Sequence, residues 1–139
     1  MRVIAVDPGE KRIGLAISDP TGTIANPLSV VKHVSRTLDA AIIAGLAKEN
    51  GADLIIVGEA VDDEGPGLRA RQAQRLADAI RLQSPLPVAL WDESSSTQTA
   101  RQARLEMGVK RRKRSGHLDD LAAVVILQDY LDAHENNQS

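Results

Sequence analysis

Acids recur at the ends of the predicted elements. Asp7 closes the apolar run R-V-I-A-V-D at residues 2–7, and Glu59 follows D-L-I-I-V-G at residues 53–58. Asp92 and Glu93 follow V-A-L-W, and Asp119 and Asp120 stand at the start of the last helical segment. Ligands of open α/β sheets gather outside the carboxyl ends of parallel strands, so acids far apart in sequence can converge there. Clustered carboxylates repel one another unless a cation neutralises them. An all-oxygen donor set suits Mg²⁺ or Mn²⁺. Such ions activate water and stabilise the oxygens of a phosphoryl displacement. Any one of these acids alone reads as a helix N-cap or a solvated loop end. Their coincidence at several strand ends is what points to phosphodiester hydrolysis.

Two basic features accompany the acids. D-P-G-E-K-R-I-G at residues 7–14 is a hairpin whose glycines allow close backbone approach to phosphate, with Lys11 and Arg12 at its tip. It resembles the phosphate hairpin of the actin, sugar-kinase and Hsp70 group, so a nucleotide-binding ATPase is a competing reading. A single chain of 139 residues is short for that group, which closes two such domains over the nucleotide. The second feature is Lys110, Arg111, Arg112, Lys113 and Arg114, a loop directly before the Asp119 helix. Five adjacent bases can neutralise several backbone phosphates. His117 is a lone histidine that could contact phosphate or water, or simply be exposed. Ser94, Ser95 and Ser96 lack any elbow or triad spacing and are better explained as helix caps.

The elements that must position these groups follow from periodicity and turn residues. Strands are expected at residues 2–7 and 12–18, with a third at 23–31 that Pro27 confines to a sheet edge. A helix is expected over residues 35–50, with Leu38, Ile42 and Leu46 among its apolar positions and Gly51 as its stop. A buried strand at 53–58 leads to a polar loop over 59–67. A basic helix over 68–82 turns Leu68, Ala73, Leu76 and Ile80 inward and Arg69, Arg71 and Arg75 outward. A strand at 88–91 and helices over about 95–107 and 118–133 complete the order βββαβαβαα. The fold class is α/β: a mixed five-stranded sheet, three antiparallel strands and then αβ units, flanked by helices in one domain over 1–139 with a polar tail from about 134.

Composition excludes several classes. The absence of cysteine rules out disulfides, zinc–thiolate sites and thiol catalysis, and fits a reducing, cytoplasmic setting. The N-terminus shows no signal pattern, and no apolar run is long enough to span a membrane. With one Trp, one Tyr and no Phe, the chain has little with which to stack bases, so recognition of shape and backbone is expected. The net charge of −2 hides a segment, 101–114, with seven bases against one acid. A nucleic-acid partner is therefore compatible with the acidic total.

Taken in order, V-D-P-G-E-K-R-I-G-L-A-I-S-D, I-I-V-G, D-E-S-S-S-T-Q-T-A and L-D-D-L-A-A-V-V-I-L-Q-D-Y-L resemble the YqgF/RuvX family of Holliday-junction-resolvase-like proteins across essentially the whole chain. The resemblance implies a ribonuclease-H-like fold and a metal-dependent nuclease, acting on four-way DNA junctions or on the 5′ end of pre-16S rRNA. It assigns the metal-holding acids to Asp7, Glu93 and Asp119, with Asp120 as the alternative match to the last of these. Glu59 lies about where RuvC-type resolvases carry an acid, so it either completes the site or is only a loop acid. Ser94 departs from the arginine usual after D-E in the family, and Ala60 from its G-L-P. A symmetrical junction cut takes two nicks, which a homodimer would supply. The remaining alternative is a non-catalytic nucleic-acid-binding or ribosome-assembly protein of the same fold.

Overall fold

The computed structural model describes residues 1–59, 67–92 and 121–136, with side chains of the last segment through residue 134. Strands β1 (Val3–Pro8), β2 (Arg12–Ser18) and β3 (Ala25–Lys32) form an antiparallel meander. Helix α1 (Arg36–Glu49) crosses to β4 (Leu54–Glu59), and α2 (Leu68–Gln83) crosses to β5 (Val88–Asp92). Helix α3 (Leu121–Asn136) is the last described element. The sheet order is β3-β2-β1-β4-β5, with β1, β4 and β5 parallel. This is the expected mixed sheet. The helix expected near 95–107 falls outside the described residues.

Turn chemistry explains the boundaries. Ser35 caps α1 by accepting the Leu38 N–H. At the other end Gly51 takes φ +66, a left-handed position that favours glycine, and its N–H bonds Lys48 O. Pro27 sits in β3, an edge strand, opposite Ala16 and beside a register irregularity, where its missing N–H costs no ladder bond to a further strand.

Strand alternation sorts the core into two layers. Ile4, Val6, Ile55 and Val57 pack under α1 and α2 with Ile43, Leu76 and Ile80. Val3, Ala5, Leu54 and Ile56 pack against Ile126, Leu127 and Leu131 of α3 on the opposite face. In the absence of Phe both layers are mainly aliphatic. Trp91 and Tyr130 meet edge to face in the second layer, with centroids 5.3 Å apart. Burial pushes the Tyr130 hydroxyl pKa up.

Helix phase differs from expectation in two places. The buried positions of α1 are Asp39, Ala40, Ile43 and Ala47, whereas Leu38 and Ile42 are 45% and 37% exposed. The inward stripe is thus rotated by one residue, about 100°. In α2 the stripe is Ala70, Ala73, Leu76, Ala77 and Ile80, and Leu68 is exposed. Leu68 precedes Ala70 by two positions, about 200° round the helix. Arg69, Arg71 and Arg75 are exposed as expected.

Asp19 organises the β2–β3 turn. Its carboxylate accepts the N–H groups of Thr23 and Ile24, both at 2.8 Å, and the Thr21 hydroxyl. These bonds, the Ile24 N–H foremost, hold its carboxyl well below the usual carboxylate pKa. A depressed native pKa contributes stability above the unfolded-state value, and that contribution is lost as pH falls through the native one. Asp19→Asn is therefore expected to lower the denaturation midpoint at pH 7. The gap to wild type should shrink as pH falls below 3.8, the ordinary value. Urea titrations of both proteins between neutral and acid pH measure this, and a gap independent of pH would refute it.

Candidate functional site

Asp7 lies one residue before the end of β1, where the chain enters the hairpin. Alternation from Val3 and Ala5 turns it toward the α3 face of the sheet. Its cross-strand partner on β2 is Gly14. On the other side, one step beyond the Val6–Val57 pair, the neighbouring position on β4 is Gly58. Neither neighbour presents a side chain beside the half-buried carboxylate. Trp91, level with Gly58 on β5, packs on the same face.

Glu59 has a different place from the one expected. It is not in a loop: it is the last residue of β4, paired in register with Asp92. That single added residue decides its direction. Ile55, Val57 and Glu59 share a face, and Glu59 Oε1 accepts a bond from Gln74 Nε2 of α2 at 3.1 Å. Glu59 and Asp7 thus lie on opposite faces of the sheet. By the same alternation Asp92 falls on the α2 face. Among the described residues no group of three His, Asp or Glu side chains is arranged to hold a metal. Glu93, Asp119, Asp120, His117 and the Lys110, Arg111, Arg112, Lys113, Arg114 run lie outside the described residues.

The hairpin tip is built for close backbone approach. A Cβ on Gly9 would stand 2.2 Å from Arg12 O, so glycine is required there by space. Lys11 and Arg12 are exposed, as expected. Arg12 stands opposite Lys32 in the β2–β3 ladder, and His33 N–H donates to Lys11 O at 2.9 Å.

Two functional candidates were not apparent from sequence: His33 and Asp39. Asp39 is 1% exposed, bonds His33 Nδ1 at 2.5 Å through Oδ2, and accepts the Val34 N–H through Oδ1. The available signal was an acid one residue before the buried Ala40–Ile43–Ala47 stripe, with a histidine six residues upstream.

Both aromatic residues of the sequence are engaged in packing α3 on the sheet, and His134 stacks on Tyr130 at 3.9 Å. Neither serves as an isolated stacking platform. Among the described residues no helix is long and apolar enough to cross a membrane.

A family model described as RuvX, Holliday junction resolvase, matches residues 1–133. A Thermoanaerobacter pseudethanolicus protein named "Putative pre-16S rRNA nuclease" is 37% identical over 138 residues, 98% of this chain and 99% of its own length. A relative of the same name from Syntrophus aciditrophicus is 38% identical, over 96% of this chain and 89% of its own. Among solved structures, RuvC of Thermus thermophilus in complex with Holliday junction substrate superposes with a TM-score of 0.62 at 18% identity, covering 97% of this chain and 96% of RuvC. The fowlpox virus Holliday junction resolvase gives 0.56 at 17% identity, covering 96% and 99%. At such identities these two likenesses speak to fold, which is that of the ribonuclease-H-like resolvases.

Proposed function

The chain belongs to the RuvX family of Holliday-junction-resolvase nucleases, and on that premise we propose that it is a divalent-metal-dependent endonuclease, one domain over residues 1–139, cutting phosphodiester bonds in structured nucleic acid. The observation that carries this reading is the setting of Asp7. A carboxylate stands at the C-terminal end of the first of three parallel strands, with glycines at the adjacent positions on both sides.

The donor fits the ion. A half-buried carboxylate oxygen is a hard ligand suited to Mg²⁺ or Mn²⁺. Asp7, Glu93 and Asp119 would hold it, with Asp120 adjoining. Asp92 itself falls on the α2 face, opposite Asp7, so the motif match at Glu93 is preferred over Asp92. When bound, the ion supplies Lewis-acid stabilisation of the charge gathering on the phosphoryl oxygens. Lys11 and Arg12, and the run Lys110, Arg111, Arg112, Lys113 and Arg114, would hold the nucleic-acid backbone. With both aromatics packed internally, these contacts read backbone and shape rather than base edges.

The substrate class is a structured pre-rRNA, as the relatives' name suggests, or a branched DNA duplex, as the family description suggests. A homodimer would supply paired cuts on a junction. A chain without cysteine suits the reducing cytoplasm, where we place it.

The test is cleavage of a labelled four-way junction and a labelled pre-16S precursor, each with Mg²⁺, Mn²⁺ or chelator. Cutting that needs the ion is expected, and the preferred substrate identifies the biology. Binding without cutting under every condition would replace the catalytic reading with a non-catalytic binding or assembly role. Glu59→Gln, which alters only an exposed bond to Gln74, is expected to keep cleavage within about 3-fold of wild type. A loss of 100-fold or more would return Glu59 to the metal site.

A further inference from the structure

Beyond Asp7 the end of the sheet carries a second charged surface, which reaches over the tip of the β1–β2 hairpin to the side where α1 and α2 pack. Two clefts meet there. One, of about 360 Å³, is lined by residues including Gly9, Glu10, His33, Arg36 and Gln72. The other is lined by Glu10, Lys11, Arg12, Val30, Lys32 and His33. Glu10 and His33 line both and so form the ridge between them. Five exposed bases, Lys11, Arg12, Lys32, His33 and Arg36, follow this rim, with Glu10 the one exposed acid among the lining residues.

Arg12 and Lys32 are direct cross-strand partners, which sets two of these bases side by side at the rim. The ridge is also held in place. Asp39, almost wholly buried, spends one oxygen on His33 Nδ1 and the other on the Val34 N–H. With Nδ1 engaged, Nε2 is the ring nitrogen left for an outside partner. A buried carboxylate fixing an exposed ring beside like charges is an arrangement for an external anion.

We propose that Lys11, Arg12, Lys32, His33 and Arg36 form a track for the sugar–phosphate backbone of one duplex arm of the substrate, outside the scissile centre, and that Asp39 is the positioning residue that sets His33 in it. The track starts at the hairpin that follows Asp7 and runs over the tip to the opposite face of the sheet. A single backbone can therefore touch both. This rests on the nucleic-acid reading above and adds a second contact surface to it.

The experiment compares wild type, K32Q/R36Q, H33Q and D39N on the four-way junction and the precursor RNA, by binding across a salt series and by steady-state cleavage. For K32Q/R36Q the slope of log affinity against log salt should fall by about 2, with KM up about 10-fold and kcat within about 2-fold. H33Q should raise KM about 3-fold, and D39N should raise it alike, with no further loss in the H33Q/D39N double variant. Melting curves identify a D39N that fails to fold, and H33Q and K32Q/R36Q then decide. Folded K32Q/R36Q with wild-type slope and KM overturns the track while leaving the nuclease reading intact. Wild type that binds without cutting overturns the nuclease reading, and the salt slopes alone then judge the track. Wild type that binds neither substrate overturns both.

Discussion

Asp7→Asn is expected to lower metal-dependent cleavage by about 10³-fold with the protein still folded. Loss of one carboxylate ligand removes about 4 kcal/mol of transition-state stabilisation, and 1.36 kcal/mol corresponds to tenfold in rate. Asparagine keeps the shape of the side chain and the β1–β2 ladder, in which the backbone of residue 7 pairs with Gly14. The substitution changes charge more than packing. Two readouts separate the site from the scaffold. Cleavage should vanish into background, and the rise in melting temperature that Mg²⁺ or Mn²⁺ gives wild type should shrink or disappear, because a bound ligand stabilises only the state that binds it. In metal-free buffer the variant should melt near wild type. A variant that still cuts at wild-type rate would remove Asp7 from the chemistry.

Which face of the sheet a strand-end acid takes, the α3 face for Asp7 and the α2 face for Glu59, is a matter of one residue. Both stand near the ends of apolar runs, and the sheet order β3-β2-β1-β4-β5 was foreseeable from the meander and the two crossovers. Turn signals are local, so Pro27 at the edge and Gly51 at the stop were readable directly. Which face a strand-end residue takes is not local: it flips with each added residue. β4 runs through Glu59 because Asp92 pairs with it, a partner 33 positions away. Helix phase failed for a related reason. Leu38 and Ile42 make a good stripe by hydropathy, but α1 settles on the small Ala40 and Ala47, which let it lie close to the sheet. Asp39 could turn inward only because His33 and the Val34 N–H meet it there. A pairing across a turn leaves no periodic trace in sequence. The remaining proposed acids and the basic run fall outside the described residues, so their part in the site rests on motif.

Replacing Lys110, Arg111, Arg112, Lys113 and Arg114 together by Gln is expected to weaken substrate binding by about 10³–10⁴-fold near 0.1 M salt. Each phosphate contact contributes about 0.9 to the salt slope, so five contacts contribute about 4.5. A loss of 3 or more in slope would mean that most of the run touches backbone. Wild type and variant should converge toward 1 M salt, where counterion release no longer favours binding. The weakening should be nearly the same for different base sequences of one shape, because both aromatics are occupied with each other and with α3. Some slope should survive. Lys11, Arg12, Lys32 and Arg36 remain, and adding K32Q/R36Q should remove about 2 more. Additive losses would mean that the run and the rim make separate backbone contacts, which suits an enzyme that recognises the angle between two arms. A five-residue variant with wild-type slope would show that the run is solvated and leave the hairpin rim as the binding surface.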